Sequence, residues 1–275
     1  MADETKQSYE TRLEESPRPK ENAFSSNEVL KIFSPVLLDE IQEVRLLKRS
    51  DTKFLFHESL LPGILKKLTE DYHVLEVKGE RMQRYKTRYY DTPDFELYHQ
   101  HQNGQRERYK LRFRSYLNSN VDYLEVKCKD NHGCTQKSRI ISENSSLKRT
   151  PDINVFLRAV FPLFQKTYIP TITNNFYRIA LVSKYDQERL SLDLDIRFLS
   201  PFTQFSLPGM VVAEVKQPRF SVHSAFIQQM RFMGCRPASF SKYCVGVAMA
   251  YPKIKRNAFK PLLRDIKKII IGGLN

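Results

Sequence analysis

Charged and apolar residues alternate along the segment RYKLRFRSY, which spans residues 108–116. Apolar and aromatic side chains take one set of positions, and cations take the other: Arg108, Lys110, Arg112 and Arg114. An alternation of period two predicts a β-strand whose two faces meet different environments. The apolar face must pack against a core, so the open question is whether the cationic face meets water or an anion.

The same pattern along the rest of the chain predicts mostly strands with a few helices. Strands are expected at residues 44–56, 84–92, 106–116, 121–129, 134–142, 174–184, 188–199 and 210–218. Helices are expected at residues 33–41 (with Ser34 as N-cap and Pro35 at the first position), 57–72, 95–104, 151–166 and 222–233. Closely spaced strand pairs favour an antiparallel sheet with attached helices, which is an α+β fold.

The chain has 275 residues, and its 45 Lys and Arg against 31 Asp and Glu give a net charge of +14. This length can bury a substantial core, and one large domain is the favoured organisation. The excess of cations favours a polyanionic partner such as nucleic acid, polyphosphate, a nucleotide or an anionic membrane surface. Charge alone does not choose among them.

Three regions are expected. Residues 1–27 form a polar, disordered tail without a signal peptide, residues 28–252 form the folded domain, and residues 253–275 form a basic amphipathic helix. No apolar run approaches the roughly 20 residues of a membrane-spanning helix. The four cysteines include no C-x-x-C pair, which favours a reduced, cytoplasmic location.

The cations of neighbouring predicted strands stand at matching parity. Lys127, Lys129, Lys137 and Arg139 repeat the pattern of residues 108–114. A solvated polar face is the ordinary explanation for one alternating strand, but stacked cations repel one another unless an anion neutralises them. Isolated carboxylates accompany the cations: Glu125, Asp193, Asp195 and Glu214. Such a face suits a triphosphate with Mg²⁺ or Mn²⁺, and neither G-x-x-x-x-G-K-[ST] nor G-x-G-x-x-G is present to bind it otherwise.

Several segments together resemble one known family. They are KRSDTKFLF, YKTRYYDTPDFELY, RYKLRFRSY, LEVKCK with GCTQKSR, FYRIAL, RLSLDLDIRF, VVAEVK and FSKYCVG. In this order they resemble the VTC domain, the polyphosphate polymerase module of the vacuolar transporter chaperone complex, within the triphosphate tunnel metalloenzymes. The resemblance covers about residues 33–248.

The resemblance implies a closed, antiparallel eight-stranded β-barrel with flanking helices, whose tunnel binds ATP and inorganic polyphosphate. Matching positions imply these catalytic residues: Lys53, Arg112, Arg114, Lys127, Lys137, Arg139, Arg178 and Lys242. Further expected tunnel residues are Arg49, Arg108, Lys110, Lys129 and Lys216. Glu214 matches the metal-binding glutamate, with Asp193 and Asp195 as additional metal ligands for Mn²⁺ or Mg²⁺.

The activity implied is transfer of the γ-phosphoryl group of ATP to a growing polyphosphate chain. Related hydrolases and cyclases carry E-x-E-x-K on the first strand, whereas this chain has Arg49 at the first glutamate position. Loss of that carboxylate weakens the activation of water by a metal and favours a transferase. A metal-dependent triphosphatase and a non-catalytic polyanion-binding module remain as alternatives. Nucleic acid is not expected as a partner, because no aromatic stacking platform is evident.

The C-terminal segment has an apolar stripe at helical spacing, formed by Phe259, Leu262, Leu263, Ile266, Ile269 and Ile270. Lysines and an arginine lie off this stripe. Such a helix either packs on the domain as a cap or docks on a membrane or an integral-membrane partner.

Overall fold

The computed structural model describes residues 28–40, 50–132, 134–142, 147 and 150–272. Arg49 and the predicted N-terminal tail lie outside these residues. The strands are β1 Pro35–Leu37, β2 Ser50–His57, β3 Tyr72–Glu76, β4 Met82–Asp91, β5 Arg108–Tyr116, β6 Val121–Lys129, β7 Thr135–Ile141, β8 Ile169–Ser183, β9 Arg189–Leu199, β10 Gln204–Leu207 and β11 Met210–Gln217. The α-helices are α1 Leu61–Leu68, α2 Glu96–Gln102, α3 Pro151–Val160, α4 Ala225–Phe232, α5 Lys242–Ala250 and α6 Lys260–Gly272. Two 3₁₀ turns cover Glu58–Leu60 and Asn257–Phe259.

One 11-stranded sheet organises these elements. Its main path runs in the order β2-β11-β9-β8-β4-β5-β6-β7, and neighbouring strands along the path are antiparallel. The predicted strands are confirmed where the structure describes them, with residues 44–49 of the first strand lying outside the described part, and so are the helices predicted within residues 57–72, 95–104, 151–166 and 222–233. The α+β class with an antiparallel sheet and flanking helices is therefore correct.

The prediction of a closed eight-stranded barrel is wrong in two respects. The path has two ends, because β2 and β7 share no backbone ladder in the described part of the chain. Three strands also lie off the path: β10 pairs with β9, β3 pairs with β8, and β1 pairs with β3. Closure depends on hydrogen bonds between strands remote in sequence, and the alternation of side chains within single strands carries no information about them.

The helix predicted at residues 33–41 is also wrong where the structure describes it. Residues Pro35–Leu37 form β1, which pairs in parallel with Val74–Glu76 of β3. The Val74 amide donates to the carbonyl of Ser34 at 3.0 Å, which ties the two segments together. The backbone N–H and C=O groups at the edge of β3 need hydrogen-bond partners. The pairing that provides them outweighs the local preference of Ser34 and Pro35 for starting a helix.

The outward face of the sheet is covered by helices. Helices α1 and α4 pack against β2, β11, β9 and β8. They contribute Ile64, Leu65, Phe226 and Met230 to a buried cluster. Against β5 and β6 packs α3, through Ile153 and Leu157. Removing this apolar area from water is the main contribution to the stability of the fold.

The opposite face of the sheet is half apolar and half charged. Its apolar half includes Leu55, Tyr85, Phe176 and Val212, and it is covered by α5 and α6. Because side chains of one strand alternate between faces, Lys53 shares this face with Leu55, and Glu214 shares it with Val212. The charged half of the inner face therefore contains the candidate functional site.

The C-terminal helix α6 uses its apolar stripe for packing. Ile266 is buried, and Phe259, Leu262, Leu263, Ile269 and Ile270 pack against the same inner cluster. This arrangement favours the cap over docking of the apolar stripe on a membrane. Among the helices that the structure describes, none combines the length and the apolar character that crossing a bilayer requires.

A bulge interrupts β9 and changes which face its side chains meet. Tyr177 of β8 pairs with Leu194, whereas Asn175 pairs with Arg197, so one extra residue lies on β9. Asp195 in this bulge has a φ of 48°, a left-handed conformation that aspartate tolerates better than most residues. The uniform alternation predicted for residues 189–198 therefore ends at the bulge.

Candidate functional site

Cations cover part of the inner face of the sheet, and nine of them form what we call the cationic face. They are Lys53, Lys110, Arg112, Arg114, Lys127, Lys137, Arg139, Arg178 and Lys216. Ladder pairing places them side by side: Lys110 stands opposite Lys127, and Lys127 stands opposite Lys137. The residues come from six strands of the path, so only the folded sheet brings them together.

Strand β6, next to one end of the sheet, lies near strands β11 and β2 at the other end. Lys127 belongs to β6, and its charge interacts with Glu214 of β11 and Lys53 of β2. Electrostatic contact between β6 and the other end of the path requires a curled sheet, although the described strands do not close the backbone ladder. The cationic face therefore lines the inside of the curl.

Glu214 lies between two lysines. The Nζ atom of Lys53 is 2.6 Å from Oε1, and the Nζ atom of Lys216 is 3.1 Å from Oε2. Burial by itself would raise the pKa of Glu214, but the ammonium groups of Lys216 and Lys53 hold that pKa well below its usual value. Glu214 is consequently ionised and faces the site.

Asp193 is held more tightly, by an arginine and a lysine. Arg178 donates from Nε to Oδ1 at 2.6 Å and from Nη2 to Oδ2 at 2.8 Å, and Lys242 donates to Oδ2. Burial would raise the pKa of Asp193, but these cations lower it to about 2. Lys242 reaches this position because it is the first residue of α5, whose N-cap Ser241 accepts a hydrogen bond from the Cys244 amide.

A third carboxylate, Glu125, is fully buried. Arg112 donates from Nε to its Oε2 at 2.8 Å, and Lys137 donates to its Oε1 at 3.1 Å. Burial opposes ionisation, but Arg112, Arg114 and Lys137 hold the pKa of Glu125 well below its ordinary value. Glu125 therefore fixes the orientation of Arg112 on the cationic face.

Four lysines in or beside the cationic face are poorly accommodated as cations. Burial, with Lys110 and other neighbouring cations, lowers the pKa of Lys127 to about 7. Burial lowers the pKa of Lys137 to about 8, even though Glu125 opposes this shift. Burial likewise lowers the pKa values of Lys110 and Lys242. A bound anion would stabilise the protonated lysines. Crowded cations with lowered pKa values are therefore typical of a site that binds an anion.

Aromatic rings flank the cations, and these rings are not among the predicted site residues. The guanidinium of Arg178 lies 5.0 Å from the ring centre of Tyr85, and that of Arg114 lies 5.7 Å from the same ring. Arg139 lies 4.4 Å from the ring centre of Tyr123. Within the strand at residues 84–92, alternation puts Tyr85, Thr87 and Tyr89 on one face, but only the register of β4 with β5 and β8 decides that this face carries the cations.

Asn174 is a second unforeseen residue of the inner face. It is 1% exposed, and among the described residues neither its Oδ1 nor its Nδ2 has a hydrogen-bond partner. It stands opposite Thr87, which in turn stands opposite Arg114 and accepts a weak hydrogen bond of 3.4 Å from that arginine. A buried amide of this kind needs a water or a ligand group.

The remaining predicted residues lie apart from this centre. Asp195 pairs with Arg197 at 2.8 Å in the bulge, so the structure separates it from Asp193 and Glu214. Arg108 donates to the carbonyl of Gln105 at 2.7 Å and stands opposite Lys129 at the end of the β5–β6 ladder. Arg49 is outside the described residues.

The described residues offer little for a metal ion alone. No group of three or more His, Cys, Asp or Glu side chains among them is arranged to hold one. Asp193 already accepts three hydrogen bonds from Arg178 and Lys242, whereas Glu214 has one lysine at each oxygen, so Glu214 is the carboxylate better placed to accept a metal ion. One carboxylate together with substrate phosphates is a common way for proteins to bind Mg²⁺, so the site fits a metal that arrives with a polyphosphate.

The fold and this face define an α+β protein with a curled antiparallel sheet and a cationic inner surface. The family model of the VTC domain matches residues 48–251, which is most of the chain. The chain belongs to the VTC domain family. No curated protein matches the sequence at a significant level.

Solved structures share the arrangement of elements only distantly. A Bacillus halodurans protein proposed to be an adenylate cyclase matches with a TM-score of 0.45 and 14% identity, covering 70% of this chain and 94% of that one. The Hippeastrum protein HpAC1, described as having a dominant triphosphatase activity, matches with a TM-score of 0.43 and 12% identity over 76% of this chain and 100% of that one. The S. pombe RNA triphosphatase Pct1 matches with a TM-score of 0.27 and 9% identity over 92% and 95% of the two chains.

Proposed function

We propose that this protein is a polyphosphate polymerase that transfers the γ-phosphoryl group of ATP to the end of an inorganic polyphosphate chain. The observation that carries the proposal is the cationic face, where seven half-buried cations and the more exposed Lys137 and Arg139 surround three ion-paired carboxylates. Membership of the VTC domain family supports the choice of polyphosphate over other polyanions.

In the reaction, the bond between the γ-phosphorus and the β,γ-bridging oxygen of ATP breaks. A terminal phosphate oxygen of the polyphosphate forms a new bond to that phosphorus, and ADP leaves. Phosphoryl transfer requires in-line positioning and neutralisation of charge more than covalent help from the protein. The acceptor oxygen is already anionic, so no general base is needed.

The arginines would bind phosphate oxygens through paired N–H groups. Arg114 has no ion-pair partner among the described residues, and its guanidinium is held by Thr87 and the ring of Tyr85. Arg112 and Arg178 are oriented by Glu125 and Asp193. A guanidinium group that is already held in one orientation loses less conformational entropy on binding a phosphate than the guanidinium of a freely rotating arginine does.

The lysines would act as point charges, and their protonation would increase when the substrate binds. Lys127, with its pKa of about 7, is only partly protonated near neutral pH. A phosphate chain beside it would raise that pKa and draw a proton from solution. Lys53, Lys137 and Lys242 would supply further positive charge along the chain.

Glu214 would hold Mg²⁺ or Mn²⁺ together with the phosphates of ATP. The metal, when bound, would neutralise charge on the β- and γ-phosphates and favour departure of ADP. Displacement of Lys53 or Lys216 from Glu214 would then free a lysine for the phosphate chain.

The test is incubation of the purified protein with γ-labelled ATP and Mn²⁺ or Mg²⁺, followed by separation of the products on a gel. We expect a ladder of labelled polymer that is lost in Glu214→Gln and in Arg178→Lys, because a point charge does not replace a bidentate fork. Glu70→Gln, at an exposed position, serves as the matched control and retains the ladder.

Other outcomes would replace the proposal. Labelled free phosphate without polymer, dependent on Glu214, would identify a metal-dependent triphosphatase. Tight binding of polyphosphate without any turnover of ATP would identify a non-catalytic binding module.

A further inference from the structure

The outward side of α6 forms a cationic stripe. At 100° per residue, Lys260, Arg264, Lys267 and Lys268 fall within an arc of about 100° on the helix, and all four are exposed. Lys253 and Lys255, also exposed, extend the charge into the segment before the helix. Asp265 is the single acidic residue between positions 253 and 272. The stripe therefore carries a dense charge of one sign.

This surface is separate from the cationic face. The apolar stripe of α6 is buried against the inner cluster around Leu55 and Val212, so the cations point away from the sheet. An amphipathic helix that inserts into lipid needs its apolar side, and here that side is already used. Any partner of α6 must meet the cations instead.

Two exposed apolar side chains accompany these cations. Phe202 is 78% exposed, at the turn between β9 and β10, and its ring centre is 5.7 Å from that of Tyr251, two residues before Lys253. Ile271 is 48% exposed and falls within the same arc of α6 as the four cations. Exposed apolar groups beside basic residues are typical of surfaces that contact the bilayer interface.

We propose that Lys253, Lys255, Phe202 and the outward side of α6 form a peripheral docking surface for an anionic lipid bilayer. The cations would meet anionic headgroups, while Phe202 and Ile271 would enter the headgroup region. A flexible inorganic polyanion such as polyphosphate would be attracted by the same cations, but it has no apolar group or ring to contact an exposed phenylalanine. The combination of charge and apolar contact favours the bilayer.

The test is co-sedimentation of the full chain with vesicles. We expect binding to vesicles of phosphatidylcholine with about 30% phosphatidylserine, weak binding to phosphatidylcholine alone, and release at high salt, because the interaction is screened within a Debye length. Each basic residue near an anionic surface contributes about fivefold in affinity. The quadruple variant Lys260→Glu, Arg264→Glu, Lys267→Glu, Lys268→Glu should therefore bind more than about 100-fold more weakly.

A matched variant separates this surface from the net charge of the protein. Charge reversal at Lys66, Lys78, Arg231 and Arg236, which are exposed on other elements, changes the net charge equally and should leave most of the vesicle binding intact. Equal loss in the two quadruple variants would overturn the proposal, and so would equal binding to neutral and anionic vesicles.

Phe202→Ser distinguishes lipid from a soluble polyanion without altering charge or the core. We expect it to weaken vesicle binding several-fold and to leave binding of soluble polyphosphate unchanged. Full vesicle binding by Phe202→Ser, or tighter binding of the α6 cations to free polyphosphate than to vesicles, would assign the surface to a polyanion instead. Thermal unfolding of each variant verifies that it is folded.

Discussion

Single carboxylates determine where the arginines of the cationic face point. Glu125 orients Arg112, and Asp193 orients Arg178 together with Lys242. A buried ion pair contributes little net stability, because desolvation offsets much of the attraction between the charges. Its effect here is on geometry, since each cation is held in a position where it can also meet a phosphate.

Tyr243 links the cationic face to the helices. Its hydroxyl donates to Oδ2 of Asp91, which also accepts from the Tyr98 amide at 2.9 Å, while Oδ1 accepts from the Leu97 amide at 2.8 Å. Its ring stacks on Tyr89 at 5.1 Å. Asp91 thereby connects the N-terminus of α2 with the start of α5, next to Lys242.

We predict that Tyr243→Phe lowers the free energy of unfolding by about 1.5–3 kcal/mol, the range for a hydrogen bond to a charged group. Urea unfolding measures the change. Tyr185→Phe is the control, because Tyr185 is 76% exposed and its hydroxyl makes only a 3.4 Å hydrogen bond. It should change the free energy by less than about 0.5 kcal/mol. Equal effects of the two substitutions would contradict the role given to Tyr243.

At the scale of elements, α5 is the helix that closes the apolar half of the inner face. It approaches β8 and β9 closely at Gly246, where an added Cβ would lie 2.8 Å from Cδ1 of Phe198 and 3.1 Å from Cγ1 of Ile172. A larger residue would push the helix off the sheet. Since Lys242 begins the same helix, the close packing also fixes the position of that lysine.

We predict opposite effects of two Gly→Ala substitutions. Gly246→Ala should destabilise the protein by about 1–3 kcal/mol through overpacking, despite the better helix propensity of alanine. Gly63→Ala in α1, where nothing lies within 4 Å of the added Cβ, should stabilise it by about 0.5–1 kcal/mol. Thermal unfolding compares the two, and stabilisation by Gly246→Ala would show that α5 does not pack as described.

In the whole molecule, the curled sheet brings many cations close together. Their mutual repulsion is stronger in the folded state than in the unfolded state. The two ends of the sheet bring Lys127 near Lys53 and Glu214. The free energy of folding is reduced by this crowding in the absence of an anion. Binding of a polyanion should therefore stabilise the protein as well as occupy the site.

The pH dependence of stability follows from the lysines. The pKa values of Lys127, about 7, and Lys137, about 8, lie below the value of about 10.4 for an unperturbed lysine. Between these values the unfolded chain binds more protons than the folded one, so stability rises with pH. We predict that the free energy of unfolding, measured in urea, increases from pH 6.5 to pH 8.5.

The double variant Lys127→Met, Lys137→Met provides the comparison. Its increase in stability over the same pH range should be smaller, because two groups that release protons on folding are gone. Addition of inorganic triphosphate to the wild-type protein should flatten the increase as well, since the anion raises the pKa of both lysines. Identical slopes for wild type and variant would rule out these lysines as the cause.

The local features of this protein follow from its amino-acid sequence alone. Alternation in β5, β6, β7 and β9 identified strands with one charged face, and the matching parity of Arg112, Lys127 and Lys137 indicated a shared surface. These predictions succeed because the direction of a side chain depends only on its position within a strand.

The pairing of the strands and the contacts of the charged side chains depend instead on the tertiary fold. Residues 35–37 pair with β3 instead of forming a helix, Asp195 is diverted by a bulge, and the sheet curls without closing its ladder in the described residues. The contacts of Tyr85, Asn174 and Tyr243 with the inner face likewise join residues far apart in sequence. Register and long-range pairing depend on the packing of the entire molecule, and no local pattern encodes that packing.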